Sequence, residues 1–477
     1  MNTIQKIAKN TGVLFLSQLL SYLIGFFYYL FAARYLGVAN FGILSFAFAF
    51  TGIFSIIMDL GLNSLMVRDI ARNTSLANEY LGNIIGIKII LGVITFLIIV
   101  LIVNLLNYSQ TTIQVIYIIS LSIILTTFCN SFVSIFQAHE KMEYQGIGLI
   151  LNSFLLLGGT FLAIYNGLGI IAFSTIYLIA SIILLVYYIV ISTTKFTKPR
   201  ITIDLNFLPK IKEALPFGFS SLFVTIYVYI DSIMLYSMVG NEAIGLYSVA
   251  YRLIMVLLFL PGVINNAIFP VMSKLYVSNK NSLNMVMNRY FKLMLLLGIP
   301  MGVGITILAN QIIILMFGVA YSGSVIALQI LIWATVFTFA NAAFVKLFES
   351  INRQFTITKI TIIGVLVNVS LNLILIPIFS YVAASINTVI TELIVLTIVF
   401  ITAKRSGYDI NREIIRNDIP KIIAASLIMG IFLWIFKDLN LLILILASAS
   451  LYLLTLYYMK GITDEDIKII KSIRGKI

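Results

Sequence analysis

Apolar runs of about 20 residues, separated by short polar or glycine-bearing stretches, recur fourteen times along this chain. They fall near 13–33, 42–62, 84–104, 115–136, 147–165, 168–191, 216–239, 244–271, 293–309, 325–345, 360–378, 381–402, 422–436 and 439–458, here segments 1–14. Hydrocarbon offers backbone amides no partners, so a run of this length crosses a bilayer as a helix that satisfies its own hydrogen bonds. The pattern predicts an all-α integral membrane protein with about 14 transmembrane helices.

Charge adds orientation. Residues are 61% hydrophobic and mean hydropathy is +1.08, yet Lys and Arg outnumber Asp and Glu by 31 to 18. Of the 31 basic residues, 27 fall in the termini and every second connection, Arg34 and Lys437 alone fall on the other side, and Lys88 and Arg252 lie inside segments. Cytoplasmic loops retain Lys and Arg, so the chain is expected to be a multi-pass protein of the cell membrane with both termini cytoplasmic. Basic loops facing anionic membrane lipids account for the net charge of +13 without any nucleic acid partner. One Cys and one His exclude a disulfide framework and a protein-only zinc or haem site. Cys129 reads as a small apolar residue and His139 as a loop residue. The first run is too long for a signal-peptide core and reads as an uncleaved helix.

The longest hydrophilic interruption, 193–215, holds Lys195, Lys198, Arg200, Lys210 and Lys212 with Pro199 and Pro209, and reads as a cytoplasmic linker between two halves. Segments 1–6 then form an N-terminal lobe (1–192) and segments 7–12 a C-terminal lobe (216–403). Residues 404–477 hold segments 13 and 14 and, at 460–477, an amphipathic tail in which Ile467, Ile469, Ile470 and Ile473 alternate with Lys468, Lys471 and Arg474. LGVANFGILSFA at 36–47 matches VGNEAIGLYSVA at 239–250, pairing Gly37 with Gly240, Gly42 with Gly245, Ser45 with Ser248 and Ala47 with Ala250. FVSIF at 132–136 echoes FVKLF at 344–348, and GLILN at 148–152 echoes GVLVN at 364–368. Because segments 1 and 7 both start on the same side, the two lobes are expected to be parallel repeats.

AARYLGVANFG at 32–42, VGNEAIGLYSVAYRL at 239–253 and PGVINNAIFPVMSKL at 261–275 resemble hallmark segments of the polysaccharide flippase family, within the multidrug/oligosaccharidyl-lipid/polysaccharide exporter superfamily. The resemblance covers segments 1–12, and the last two segments agree with longer members. It implies two six-helix lobes around a cavity that opens alternately to either side, moving isoprenoid-diphosphate-linked oligosaccharide with no covalent chemistry.

Charged residues at membrane depth are costly unless they face water or a partner. Asp59, Lys88, Asp231, Arg252 and Glu392 lie inside the apolar runs, with Arg34 at the end of segment 1. Arg binds phosphate through a planar fork and Lys through a point charge. Arg34, Lys88 and Arg252, with Asp59, are therefore the expected cargo-binding set. Arg34 could instead snorkel to lipid headgroups and Lys88 to the opposite surface, whereas Arg252 lies roughly 12 Å inside segment 8.

Asp231 in segment 7, Asn368 and Asn372 one turn apart in segment 11, and Asn387, Thr388, Thr391 and Glu392 in segment 12 supply oxygens of the kinds that hard cations take. The resemblance implies a sodium site among these three segments, with Asp231, Asn368, Asn372 and Thr391 as ligands. Two Asn residues in segment 11, where the related precursor flippases carry a carboxylate, leave proton coupling through Asp231 or Glu392 open. Na⁺ or H⁺ is thus the expected coupling ion, and no other cofactor is expected. Tyr and Phe at 22, 26–29, 227, 229 and 236 suit interface anchoring or sugar stacking. Gly25 and Pro300 interrupt their segments, and Pro261, Gly262 and Pro270 predict a broken segment 8.

The leading reading is a cation-coupled flippase, expected to act as a monomer and to associate with other polysaccharide-assembly proteins. A small-molecule exporter of the same superfamily would share the two lobes. A membrane glycosyltransferase or polysaccharide polymerase would need a large outer loop with charged catalytic residues, and the 310–324 connection has no charged residue.

Overall fold

The computed structural model describes residues 3–461 and, among them, contains no strand. Fourteen α-helices follow in chain order. These are α1 (Thr3–Asp59), α2 (Leu62–Arg72), α3 (Ala77–Leu105), α4 (Gln110–Ala138), α5 (Met142–Tyr165), α6 (Ile170–Lys195) and α7 (Leu208–Met238), then α8 (Asn241–Leu257), α9 (Phe259–Ser278), α10 (Lys280–Phe317), α11 (Ser324–Ser350), α12 (Gln354–Arg405), α13 (Ile419–Ile435) and α14 (Leu441–Tyr458). Among the described residues, twelve helical spans are long and apolar enough to cross a membrane. At 57 and 52 residues, α1 and α12 would extend roughly 85 and 78 Å if straight, more than twice a hydrocarbon core. Each bends instead, α1 at Gly37 and α12 at Ser380, and carries two of the predicted segments, which accounts for all fourteen crossings. The predicted amphipathic tail lies outside the described residues except for Lys460 and Gly461.

Several bends have readable causes. Gly37 (φ 71°, ψ 173°) and its sequence echo Gly240 (φ 117°, ψ −172°) both adopt positive φ, where a Cβ would be strained. The repeated glycine therefore does the same backbone work at the first joint of each half. Segment 8 breaks between α8 and α9 at Leu258, just ahead of Pro261, whose ring would clash with the carbonyl four residues earlier. Pro270 lies within α9 without ending it.

Two compact units divide at Tyr236/Ser237, so most of α7 packs with the first unit. The first has a core that includes Leu65, Met66, Leu81, Ile84, Phe132 and Phe136. The second is built around α10, α11 and α13, with Tyr290, Met294, Phe339, Phe344, Phe348 and Leu433 inside.

The basic linker is not a free tether. Asn78 accepts hydrogen bonds from the Thr197 hydroxyl and, at 2.9 Å, from the Lys198 amide, and Asn83 accepts from the Asp204 amide at 2.8 Å. Between them a Cβ on Gly82 would collide with the Arg200 carbonyl oxygen, and one on Gly86 would lie 2.7 Å from that of Thr202. These positions recur about once per turn, so α3 presents a small-residue face against which the extended linker lies. Gly82→Val is expected to lift the linker from α3 and to speed tryptic cleavage after Arg200 in the purified protein; an unchanged cleavage rate would show that Gly82 is not what admits the linker.

Below this, Asp69 accepts from Tyr80 at 2.6 Å and Arg68 at 2.7 Å, and Lys210 lies 3.8 Å away. Burial pushes the Asp69 carboxyl up, but the bonds from Arg68 and Tyr80 with the charges of Arg68 and Lys210 outweigh it and hold it below its ordinary value.

Candidate functional site

Lys88 is the most enclosed charge among the described residues of the first unit. Its side chain is 0% exposed, and the ammonium donates to Asp59 Oδ1 (3.2 Å), Asn63 Oδ1 (3.0 Å), the Thr127 carbonyl (3.1 Å) and Ser131 Oγ (2.8 Å). The residue neither snorkels nor offers an open face to a phosphate, because four acceptors from α1, α2 and α4 surround three N–H donors. Burial is tolerable for an ammonium only with such a shell. Lys292, 204 positions later in α10, is also buried and pairs with Asp418 at 3.2 Å. The offset of 204 is close to the 203 of the first internal echo, so each half buries a lysine at the start of its third segment.

Asp59 sits at the edge of a cavity of about 200 Å³ that is also lined by Ser55, Asn63, Thr127, Asn130 and Ser221. A second cavity of about 390 Å³ shares Ser55 and adds Phe48, Ser122, Thr126, Asn152, Tyr177 and Tyr229. Both lie wholly within the first unit. Among these residues only Asp59 and Tyr229 stood out in the sequence. The missing signal is there in retrospect: Ser122, Thr126 and Asn130 recur every four residues on α4, and Thr127 and Ser131 do so beside them, but uncharged polar residues lower hydropathy too little to mark a site.

In the second unit the polar residues of α12 form a directed chain. Asn372 Nδ2 donates to Asn368 Oδ1 at 2.9 Å, and Asn387 Nδ2 donates to Asn372 Oδ1 at 2.8 Å, across the bend at Ser380. All three are buried, as are Thr391 and Glu392. Asn387 Oδ1 and Thr391 Oγ1, one turn apart, are buried with no hydrogen-bond partner among the described residues. Two unsatisfied oxygens inside a protein are costly. They fit the oxygen chemistry of a hard cation, as do the neighbouring amides. Thr388 turns elsewhere, bonding the Ala384 carbonyl at 2.8 Å and lying 3.4 Å from the Tyr247 hydroxyl. Asp231 is buried in the part of α7 that belongs to the first unit, whereas the amide chain belongs to the second.

Arg34 and Arg252 contrast with Lys88. Both are exposed, although Ala33 and Leu36 beside the first and Ala250 and Ile254 beside the second are buried. Cys129 is buried, and His139 bonds the Ile135 carbonyl at 2.9 Å at the end of α4, so both have structural places.

The family profile described as "Polysaccharide biosynthesis protein" matches residues 7–276, and the MatE profile matches 216–374. A Haloferax volcanii protein described as a probable low-salt glycan biosynthesis flippase, Agl15, is 23% identical over 386 residues, 81% of each chain. A second protein of that organism, described as the probable flippase AglR, is 27% identical over 172 residues, 35% of each chain. In fold, the chain is similar to the lipid II flippase MurJ in an inward closed conformation, with TM-score 0.77, 20% identity, and coverage of 92% of this chain and 97% of that one. It is also similar to an inward-facing multidrug resistance transporter of the MATE family, with TM-score 0.67, 16% identity, and coverage of 81% and 94%. With the first profile matched over more than half of the chain's length, and a fold shared by flippases and MATE transporters, this chain belongs to the polysaccharide biosynthesis protein family.

Proposed function

We propose that this protein moves isoprenoid-diphosphate-linked oligosaccharide from the cytoplasmic to the outer leaflet of the cell membrane by alternating access, coupled to Na⁺ or H⁺. Family membership over residues 7–276 is the observation that carries the reading. Exposed guanidinium groups at Arg34 and Arg252, within otherwise apolar helices, support it, since each can grip a phosphate through two parallel hydrogen bonds. Lys88 serves this reading indirectly, by holding Asp59 at the cavity edge. Coupling is assigned to the second unit's Asn387 Oδ1 and Thr391 Oγ1, with Asn368 and Asn372 beside them and Glu392 as the carboxylate, while Asp231, in the first unit, is a separate candidate for proton coupling. A cation held there would supply only charge; the residues themselves orient their oxygens and keep lipid out.

The decisive experiment is reconstitution into vesicles with a defined lipid-linked oligosaccharide, with and without a Na⁺ or proton gradient. Gradient-stimulated movement is expected, and no movement under any gradient would sink the proposal. Asp231→Asn is expected to slow the gradient-driven rate, and an undiminished rate would remove Asp231 from coupling. A MATE-like multidrug exporter is the second reading, favoured by the MatE profile on 216–374, and drug efflux in the same vesicles without glycolipid movement would select it.

Orientation is assigned from the basic connections, with both termini cytoplasmic. Reporter fusions at Asn107 and Ser322 are expected to report outside and at Lys198 inside; the reverse at any two would end that assignment.

A further inference from the structure

The cavities of the first unit are chemically unlike a phosphate site. α1 lines them with Phe48, Gly52, Ser55 and Asp59, and α7 with Gly218, Ser221, Thr225 and Tyr229. Spacings of three and four residues put each set along one helical face. From position 48 to 59 that face runs roughly 16 Å, and the two cavities along it share Ser55 as a lining residue; together they make up a tract. The larger cavity falls within the range of about 300–1,000 Å³ typical of small-molecule sites.

Three observations describe what the tract would hold. Thr126 and Asn130 are exposed in mid-α4 while Thr127 and Cys129 beside them are buried, a pattern that makes sense only if the exposed side meets water or a polar solute. The amides of Asn130 and Asn152 engage no other described residue, which leaves two donors and an acceptor on each. The Tyr229 ring lies over Gly52, where a Cβ would come within 2.9 Å of it, and Tyr177 packs edge-on against Phe48 at 4.5 Å. Aromatic faces beside amides and hydroxyls suit sugar rings, which present C–H faces and hydroxyl edges. The single charge on the lining is the Asp59 carboxylate, and the cation that balances it, Lys88, is sealed behind it. A phosphate or uronate entering here would meet a carboxylate and no accessible cation.

We propose that this tract is a glycan subsite that takes the neutral, hydroxyl-rich saccharide of the cargo and rejects uronate-bearing glycan. The proposal rests on the flippase reading and adds to it the charge class of the sugar, with the diphosphate held elsewhere.

The test uses the full chain carrying Cys129→Ser and Thr225→Cys, purified in detergent, with maleimide labelling as the readout. Neutral trisaccharides (maltotriose, cellotriose, mannotriose) serve as probes against trigalacturonate. At least one neutral trisaccharide is expected to slow labelling about fourfold at three times its dissociation constant, because reaction follows the unoccupied fraction. Trigalacturonate should not slow it. Asn130→Ser, a mild change at an exposed position, should weaken the protection. Equal protection by trigalacturonate, protection indifferent to Asn130→Ser, or no protection by any neutral probe overturns the subsite. Vesicle transport separates the two claims. Glycolipid movement without protection leaves the flippase and removes the subsite, whereas protection without movement does the reverse.

Discussion

Lys88→Met is expected to destabilise the first unit by about 3–5 kcal/mol, the usual cost of removing one partner of a buried ion pair. Methionine keeps most of the stem's packing, so the loss comes from the head group. Without the ammonium, Asn63 Oδ1, Ser131 Oγ and the Thr127 carbonyl lose a shared donor, and Asp59 loses its counter-charge. Asp59→Asn should cost a similar amount, since the fully buried Lys88 ammonium keeps its neutral acceptors but loses its counter-charge. The double variant Asp59→Asn/Lys88→Met should be more stable than Lys88→Met alone, because no uncompensated charge remains. Thermal unfolding of the three variants in detergent checks the order, and a Lys88→Met protein as stable as wild type would show that the shell is not structural.

What the sequence could show depended on whether a signal was local. The fourteen apolar runs are local, and so is the glycine pair 37 and 240, which recurs at the joints because only a residue without Cβ tolerates that backbone. The bend at Ser380 was legible in place, as the gap between the runs 360–378 and 381–402, but not in its backbone, since serine at φ 55° is no turn signal. The linker's polarity announced a loop but hid its docking, which depends on Gly82 and Gly86 in a helix whose glycines otherwise look like defects. Charges at membrane depth were visible as such. Their partners were not, because Lys88 draws acceptors from positions up to 43 residues away. The polar set of α12 shows the same limit. Composition marks Asn368, Asn372, Asn387 and Thr391 alike, yet hydrogen-bond direction leaves the oxygens of Asn387 and Thr391 open while those of Asn368 and Asn372 already accept.

Arg252→Ala is expected to lower glycolipid transport by about 100-fold or more while leaving membrane level near normal. The magnitude follows from two charge-assisted hydrogen bonds worth roughly 1.5–3 kcal/mol each, at 1.4 kcal/mol per factor of ten. Normal folding follows from placement, because the side chain is exposed between the buried Ala250 and Ile254 and supports little of the packing of α8. Arg252→Lys should retain part of the rate, since the charge survives while the planar fork is lost. A lipid-anchoring role predicts a different pattern, in which Lys would substitute fully and Ala would change insertion before transport. Measuring transport per reconstituted molecule for the three proteins separates the two. Full activity in Arg252→Ala would remove Arg252 from the cargo path and leave Arg34 as the exposed candidate for the diphosphate.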